Sequence, residues 1–128
     1  MARRLAAVAF PVPDYDEAIA WFVDVLGFVL IEDTPLADGK RWVVVAANRE
    51  TGARLVLQKA NDEPKGDARV GYFLETDDFA ADHAAFLARG VCFLEAPRHE
   101  AYGVVAVFAD PWGGKWDLIE PSRVRAGS

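Results

Sequence analysis

The stretch VPDYDEAIAWFVDVLGFVL, residues 12–30, recurs in altered form as TDDFAADHAAFLARGVCFL, residues 76–94. In both copies an aspartate precedes apolar residues at helical spacing, and a glycine separates them from a final apolar run. The offset is 64 residues at the aspartates, Asp14 and Asp78, and one residue is deleted before the glycines. The same elements in the same order predict an internal duplication of about 60 residues per copy.

Each copy is predicted to contain one strand, one helix and three further strands. Apolar runs at 5–12 and 70–76 end before an aspartate that can cap a helix. In the first copy Asp14 and Glu17 have the spacing of a capping box, and Gly27 is the expected left-handed stop. Strand-like runs follow each helix, at 28–31, 41–46 and 54–58 and then at 91–94, 104–108 and 115–119, separated by the turn-forming connectors ADGK, NRETG, RHEAYG and DPWGG.

The pattern predicts an α+β chain with two tandem βαβββ modules. Module one spans about 4–60 and module two about 69–121, within a single domain over 1–128. At an offset of 61, RWVVVA at 41–46 lies over YGVVAV at 102–107. One module is too small to close a core alone, so we expect the two sheets to pack together or against a second chain.

Composition excludes several classes of partner. The 20 acidic and 14 basic residues give a net charge of -6 without a basic stripe, so we expect no nucleic-acid partner. No run approaches the roughly 18 apolar residues of a membrane span, and only six apolar residues precede Pro11, so the opening run is interpreted as a strand of a soluble protein rather than a signal peptide. The single cysteine, Cys92, indicates a reduced, cytoplasmic protein and is interpreted as a small buried side chain rather than a nucleophile.

The segments PVPDYDEAIAWFVDVLGF at 11–28 and FADPWGGKWDLIEP at 108–121, set in paired βαβββ units, resemble the vicinal-oxygen-chelate superfamily. This superfamily includes glyoxalases, bleomycin- and fosfomycin-resistance proteins and extradiol dioxygenases. The resemblance covers about 5–121 and implies that the two mixed sheets curl into a cup, in the glyoxalase/bleomycin-resistance fold. Its motifs indicate the fold more specifically than the function, so function must be argued from the site.

The resemblance also implies where a metal ion would bind. Metal-using members hold one divalent ion with side chains from the first and last strands of each half, and the matching positions here are Ala7, Val56, Gly71 and Asp117. Alanine, valine and glycine side chains offer no donor atom, and a divalent cation needs about four to six. His83 on the second helix and His99 in a predicted loop do not replace them. We therefore expect no metal and no cofactor.

A cup without metal ligands suits an organic molecule held by stacking and a few polar contacts. Strand alternation places Phe73 and Asp117 inside the cup and Trp116 towards the helices. Trp42 and Tyr102 are candidate stacking groups, with ordinary packing as the alternative, and Arg98 and His99 are candidates for an anionic group or simply solvated loop residues. Asp117 either contacts the ligand or pairs with a base such as Lys115 or Arg54. The predicted ligand-binding set is Trp42, Phe73, Arg98, His99, Tyr102 and Asp117.

The expected function is metal-independent binding of a small organic molecule, with sequestration or resistance as its role, by a cytoplasmic homodimer. The alternative is a divalent-metal-dependent lyase, isomerase or dioxygenase of the same superfamily, whose metal-binding residues differ from the usual ones. A third reading is an interaction module whose cup is filled by its own side chains. No catalytic residue is assigned, because no second acid or histidine falls on an inward position beside Asp117. Enzymatic activity is therefore left open, and binding without catalysis is the expectation.

Overall fold

The computed structural model describes residues 2–60 and 69–122. The chain divides into two compact units at 1–63 and 64–128, which contain module one and module two, and each holds its own mixed sheet. The α+β class with two modules is thus confirmed. Among the described residues, no helix is both long and apolar enough to cross a bilayer.

Module one is a four-stranded sheet with one helix. Its elements are β1 (Ala7–Val12), α1 (Tyr15–Ala20, continued by a π-helical turn at Trp21–Val25), β2 (Val29–Pro35), β3 (Arg41–Ala46) and β4 (Arg54–Lys59). The strand order is β1-β4-β3-β2, in which β1 pairs with β4 in parallel and the other pairs are antiparallel.

Module two repeats this layout with an interrupted edge. Its elements are β5 (Tyr72–Glu75), α2 (Phe79–Ala88), β6 (Cys92–Phe93), β7 (Arg98–Glu100), β8 (Gly103–Ala109) and β9 (Lys115–Pro121). The order is β5-β9-β8-β6, and β7 also pairs with β8. The prediction of RHEAYG as a connector was therefore wrong in part, because its first three residues form β7. A polar edge strand carries no apolar run that would reveal it in the sequence.

The helix boundaries follow the predicted signals. The Asp14 carboxylate accepts a hydrogen bond from the Glu17 backbone N–H at 2.8 Å, and the Asp78 carboxylate accepts one from the Ala81 N–H at 3.1 Å. Gly27 ends the first helical segment with φ of 74°, and the second ends at a glycine with φ of 88°. These caps and stops depend on neighbours within four residues, so local sequence is enough to predict them.

The helix-facing side of each sheet is the core. In module one Phe22 is fully buried and its ring meets Phe10 edge-on at 5.2 Å. In module two an aromatic row crosses the sheet through Tyr72, Trp116, Phe108 and Phe93, with ring centroids 4.6, 5.8 and 5.6 Å apart. These contacts carry the apolar burial that stabilises each module.

Phe79 and Phe86 supply the buried face of α2, whereas Leu87 is half exposed. The prediction that Cys92 is buried was wrong. Cys92 is exposed because it lies on β6 opposite Ala109, on the side of the sheet away from the helix. Adjacent strand residues face opposite sides, so its apolar neighbours do not bury it.

The strand registers carry the duplication into three dimensions. Ala9 pairs with Val56 across β1 and β4, and Phe73 pairs with Asp117 across β5 and β9. These pairs are related by the offsets of 64 and 61 residues seen in the sequence. The central position of β9, where Asp117 stands, is therefore structurally equivalent to that of Val56 on β4.

The equivalent strands β3 and β8 do not follow the offset of 61. Val44 lies opposite Val56, and Val107 lies opposite Asp117, which sets the offset between β3 and β8 at 63. The two further deleted residues fall in the next turn, which spans 47–53 in module one and 110–114 in module two. Both strands are valine-rich, so a two-residue slip keeps the apolar pattern and sequence alone does not reveal it.

Candidate functional site

The side of the module-two sheet that faces away from α2, called open face two, carries the predicted acid. Trp116 and Leu118 on β9 are buried towards the helix, and Asp117 between them points to open face two. Phe73 and Val107 flank Asp117 on the neighbouring strands. The Phe73 side chain is 69% exposed, so open face two presents an aromatic ring directly beside a carboxylate. The alternation predicted for β5 and β9 is observed.

Asp117 is half-buried, and one of its oxygens lacks a partner. Among residues 2–60 and 69–122, no donor reaches its buried Oδ1 atom. Burial raises the pKa of the Asp117 carboxyl, while the nearby positive charge of Arg98 lowers it and the negative charge of Glu95 raises it. Desolvation disfavours the ionised form, so this acid binds its proton more tightly than an exposed aspartate does.

Arg98 is held by groups on its own edge of the sheet. Its Nε lies 3.0 Å from both Glu95 oxygens, and one terminal nitrogen lies 2.6 Å from Glu100 Oε2. Glu95, Tyr102 and Glu100 raise the pKa of Arg98 through side-chain hydrogen bonds. The guanidinium group is thus largely saturated and has little capacity left for an anionic ligand.

Glu95 was missed by the sequence reasoning. Its Oε2 accepts a hydrogen bond from the Val107 backbone N–H at 3.0 Å and also binds Arg98. Val107 lies opposite Asp117 on the neighbouring strand. Glu95 therefore holds Arg98 close to the strand position that faces Asp117. The available signal was the spacing of three residues between an acid and an arginine in LEAPR.

The predicted ligand set is only partly brought together. Arg98 pairs with Val105, which shares open face two with Asp117, whereas His99 pairs with Val104 on the opposite side. His99 is exposed and does not join Asp117 on open face two. Tyr102 lies in the turn between β7 and β8, 40% exposed, beside Arg98.

The corresponding side of the module-one sheet, called open face one, carries Trp42. The indole N–H donates to Glu32 Oε1 at 3.1 Å, and the Thr34 hydroxyl donates to Glu32 Oε2 at 3.0 Å. The hydrogen bond to Glu32 fixes the indole at its N–H edge. The Trp42 side chain is 42% exposed, so part of its ring surface is open to solvent. Glu32, also missed from sequence, lies in one row with Val44 and Val56.

The DPWGG turn fixes the start of β9. The Asp110 side chain is buried and accepts hydrogen bonds from the Trp112 and Gly114 backbone N–H groups at 2.9 and 2.8 Å. Its second oxygen accepts the Trp116 indole N–H at 3.0 Å. A methyl group at Gly114 would collide with this carboxylate. Trp112 in the same turn is also buried.

The metal-binding positions of the superfamily do not fit a cation in this chain. Of the four side chains, at Ala7, Val56, Gly71 and Asp117, only the last offers a donor atom. Within the described ranges, no three histidine, cysteine or acidic side chains lie close enough to hold a metal ion. One carboxylate is too few ligands for a divalent ion, so no reaction step is assigned to a metal here.

Comparison with other proteins finds relatives over nearly the whole chain. A protein of Shewanella frigidimarina (strain NCIMB 400) is 41% identical over 94% of this chain and 95% of its own length. The crystal structure of TnmS3, an antibiotic binding protein from Streptomyces sp. CB03234, superposes with a TM-score of 0.79 at 34% identity over 94% of this chain and 98% of that one.

Two further solved structures share the fold. UcmS2 superposes with a TM-score of 0.80 at 26% identity over 93% of this chain and 98% of its own. FosX, a fosfomycin resistance protein from Listeria monocytogenes, superposes with a TM-score of 0.72 over 97% of this chain and 98% of its own, at an identity of 12% that supports the fold alone. The sequence profile of one superfamily matches residues 4–118. The chain therefore belongs to the glyoxalase/bleomycin resistance protein/dioxygenase superfamily.

Proposed function

We propose that this protein binds a small organic molecule at open face two, without a metal ion, and acts by sequestering that molecule or conferring resistance to it. The observation that carries the proposal is the adjacent pair Phe73 and Asp117, an exposed ring beside a half-buried carboxylate. A hydrogen bond to a charged group contributes about 1.5–3 kcal/mol, so a ligand that brings a donor to this carboxylate gains that energy.

The charges around Asp117 favour a ligand with an amine or another N–H or O–H donor. Asp117 supplies an acceptor, and the Phe73 ring supplies a surface for stacking or for a cation. Arg98 is held by Glu95 and Glu100, which disfavours an anionic ligand at this position. The likeness to TnmS3 supports the general type of function, since that protein is described as antibiotic binding.

A ligand screen of the full-length protein tests the proposal. Thermal shift and titration calorimetry would compare aromatic amines of drug size with their uncharged analogues, in EDTA and then with added divalent ions. We expect an amine to raise the melting temperature in EDTA, because binding to the native state stabilises it. Phe73→Ala and Asp117→Asn should each weaken that binding about tenfold, a change of ~1.4 kcal/mol.

Asp24→Asn is the matched control, because Asp24 is an exposed acid in module one. Binding or turnover that appears only with a divalent ion would replace the proposal by the metal-dependent lyase, isomerase or dioxygenase. A screen in which no compound shifts the melting temperature would favour the interaction module.

We also propose that the protein is a cytoplasmic homodimer. The single cysteine supports a reducing compartment, because it offers no internal disulfide. Light scattering after gel filtration should give twice the chain mass of 14.0 kDa. A mass equal to one chain at micromolar concentration would contradict the dimer.

A further inference from the structure

A groove opens in module one where two neighbouring strands part. The ladder between β3 and β4 ends at the pair Val43 and Leu57, although β4 continues to Lys59 beside β1 and β3 begins at Arg41 beside β2. The unpaired ends of these strands and the β2–β3 turn border a groove of about 670 Å³. This volume lies in the range of small-molecule sites.

The β2–β3 turn that borders the groove has a defined shape. Leu36 and Lys40 close it through a backbone hydrogen bond of 2.8 Å from N–H to carbonyl oxygen. Asp38 and Gly39 adopt left-handed backbone angles, with φ of 60° and 75°, which turn the chain in a single helical turn. Lys40 is therefore placed at the groove by the turn itself.

The wall of the groove includes a fixed aromatic ring. Trp42 lines it, and both Glu32 carboxylate oxygens are occupied, one by the Trp42 indole N–H and one by the Thr34 hydroxyl. An indole held at its edge by a saturated carboxylate presents its face with little loss of side-chain entropy on binding. Glu32 thus acts as a positioning residue for Trp42.

The charges that line the groove are mostly positive. Lys40, Arg41 and Lys59 line it together with a single acid, Asp38. Arg41 is held by Asp16 and Asp33, two acids that do not line the groove, at 2.8 and 2.7 Å. No ion pair engages either lysine within 2–60 and 69–122, which leaves two ammonium groups at the groove for a ligand.

We propose that this groove is a subsite for a planar aromatic molecule that carries a carboxylate or sulfonate group. The ring stacks on Trp42, and the anionic group lies between Lys40 and Lys59. The inference deepens the proposed small-molecule binding, on which it rests, by naming a ligand class and residues. It uses no residue of open face two, so the two proposals fail independently.

The test compares three naphthalene probes with the full-length protein by titration calorimetry: 2-naphthalenesulfonate, the neutral 2-naphthalenemethanol and 2-naphthylmethylamine. We expect the sulfonate to bind most tightly. Lys40→Gln and Lys59→Gln should each weaken sulfonate binding roughly threefold to fivefold, the range of one exposed ion pair, and leave the alcohol unchanged. Glu32→Gln should weaken both and change the near-ultraviolet circular dichroism of tryptophan.

Arg49→Gln is the matched control, because it removes one exposed positive charge from the β3–β4 loop of the same module. Sulfonate affinity that is equal in Lys40→Gln, Lys59→Gln and Arg49→Gln, or no sulfonate binding at all, would overturn the inference. If the amines of the first screen still bind and respond to Asp117→Asn, only the groove proposal fails. Loss of that response as well would remove the proposed function.

Discussion

Asp117 is an acid in the middle of an apolar strand, and its surroundings explain how this is tolerated. Its Oδ1 atom is buried and meets no donor in the described chain, while Arg98, whose charge lowers the pKa of Asp117, is bound to Glu95 and Glu100. Burial raises the pKa of this carboxyl and so favours its protonated form, which is less costly to bury than the charged one.

Asp117→Asn should raise the melting temperature at neutral pH and lose that advantage in acid. Burial raises the folded-state pKa of Asp117 above its unfolded value, so its contribution to stability is fully present below the unfolded pKa and is lost as pH rises through the folded pKa. Asparagine does not ionise, so the difference between the two proteins should shrink as pH falls from 8 towards 4. Thermal unfolding across this pH range measures it.

Asp24→Asn controls for the loss of one negative charge from the protein surface. A variant at Asp117 that is strongly destabilised at neutral pH without ligand would show instead that the carboxylate supports the fold. The same measurement would then remove the main argument for ligand contact at this position.

At the scale of elements, the DPWGG turn determines where β9 begins and so which of its side chains reach open face two. The Asp110 carboxylate holds the turn through two backbone N–H groups and the Trp116 indole. Trp116 is in turn part of the aromatic row of the core. The position of Asp117 one residue later thus follows from contacts on the opposite side of the sheet.

Gly114→Ala should destabilise the protein by about 1–3 kcal/mol, because the new methyl group meets the buried Asp110 carboxylate. Gly71→Ala is the control: no atom lies within 4 Å of its added methyl group, and it should change the free energy of unfolding by less than ~0.5 kcal/mol. Urea denaturation of the two variants tests the pair. Equal stabilities would show that Asp110 moves aside and that the turn tolerates a side chain.

At the scale of the whole molecule, superfamily membership does not by itself specify the chemistry of the site. The chain matches the superfamily over 4–118. Three of the four positions that the resemblance assigns to metal ligands are Ala7, Val56 and Gly71, whose side chains offer no donor atom.

Dialysis against EDTA should leave both the melting temperature and the affinity for an amine ligand unchanged. The reason is the donor set, since one carboxylate does not hold a divalent ion against a chelator. Elemental analysis of the protein before dialysis provides the second measurement. One metal ion per chain, with a fall in melting temperature after its removal, would contradict the metal-independent proposal.

Sequence alone determined the features that depend on near neighbours. The caps Asp14 and Asp78, the stop at Gly27 and the alternation that turns Asp117 away from Trp116 require only a few adjacent residues. The duplication and the superfamily resemblance follow from the same local signals written twice.

Only the tertiary structure decided which side chains are partners and which are exposed. It revealed the strand at Arg98–Glu100, the exposure of Cys92 and the carboxylates of Glu32 and Glu95 that fix Trp42 and Arg98. These features depend on strand pairing. Aligning β3 with β8 at an offset of 61 instead of 63 leaves the apolar pattern unchanged, yet it assigns each residue a different cross-strand neighbour. Local propensity fixes the elements of this protein, whereas register fixes which side chains share each open face.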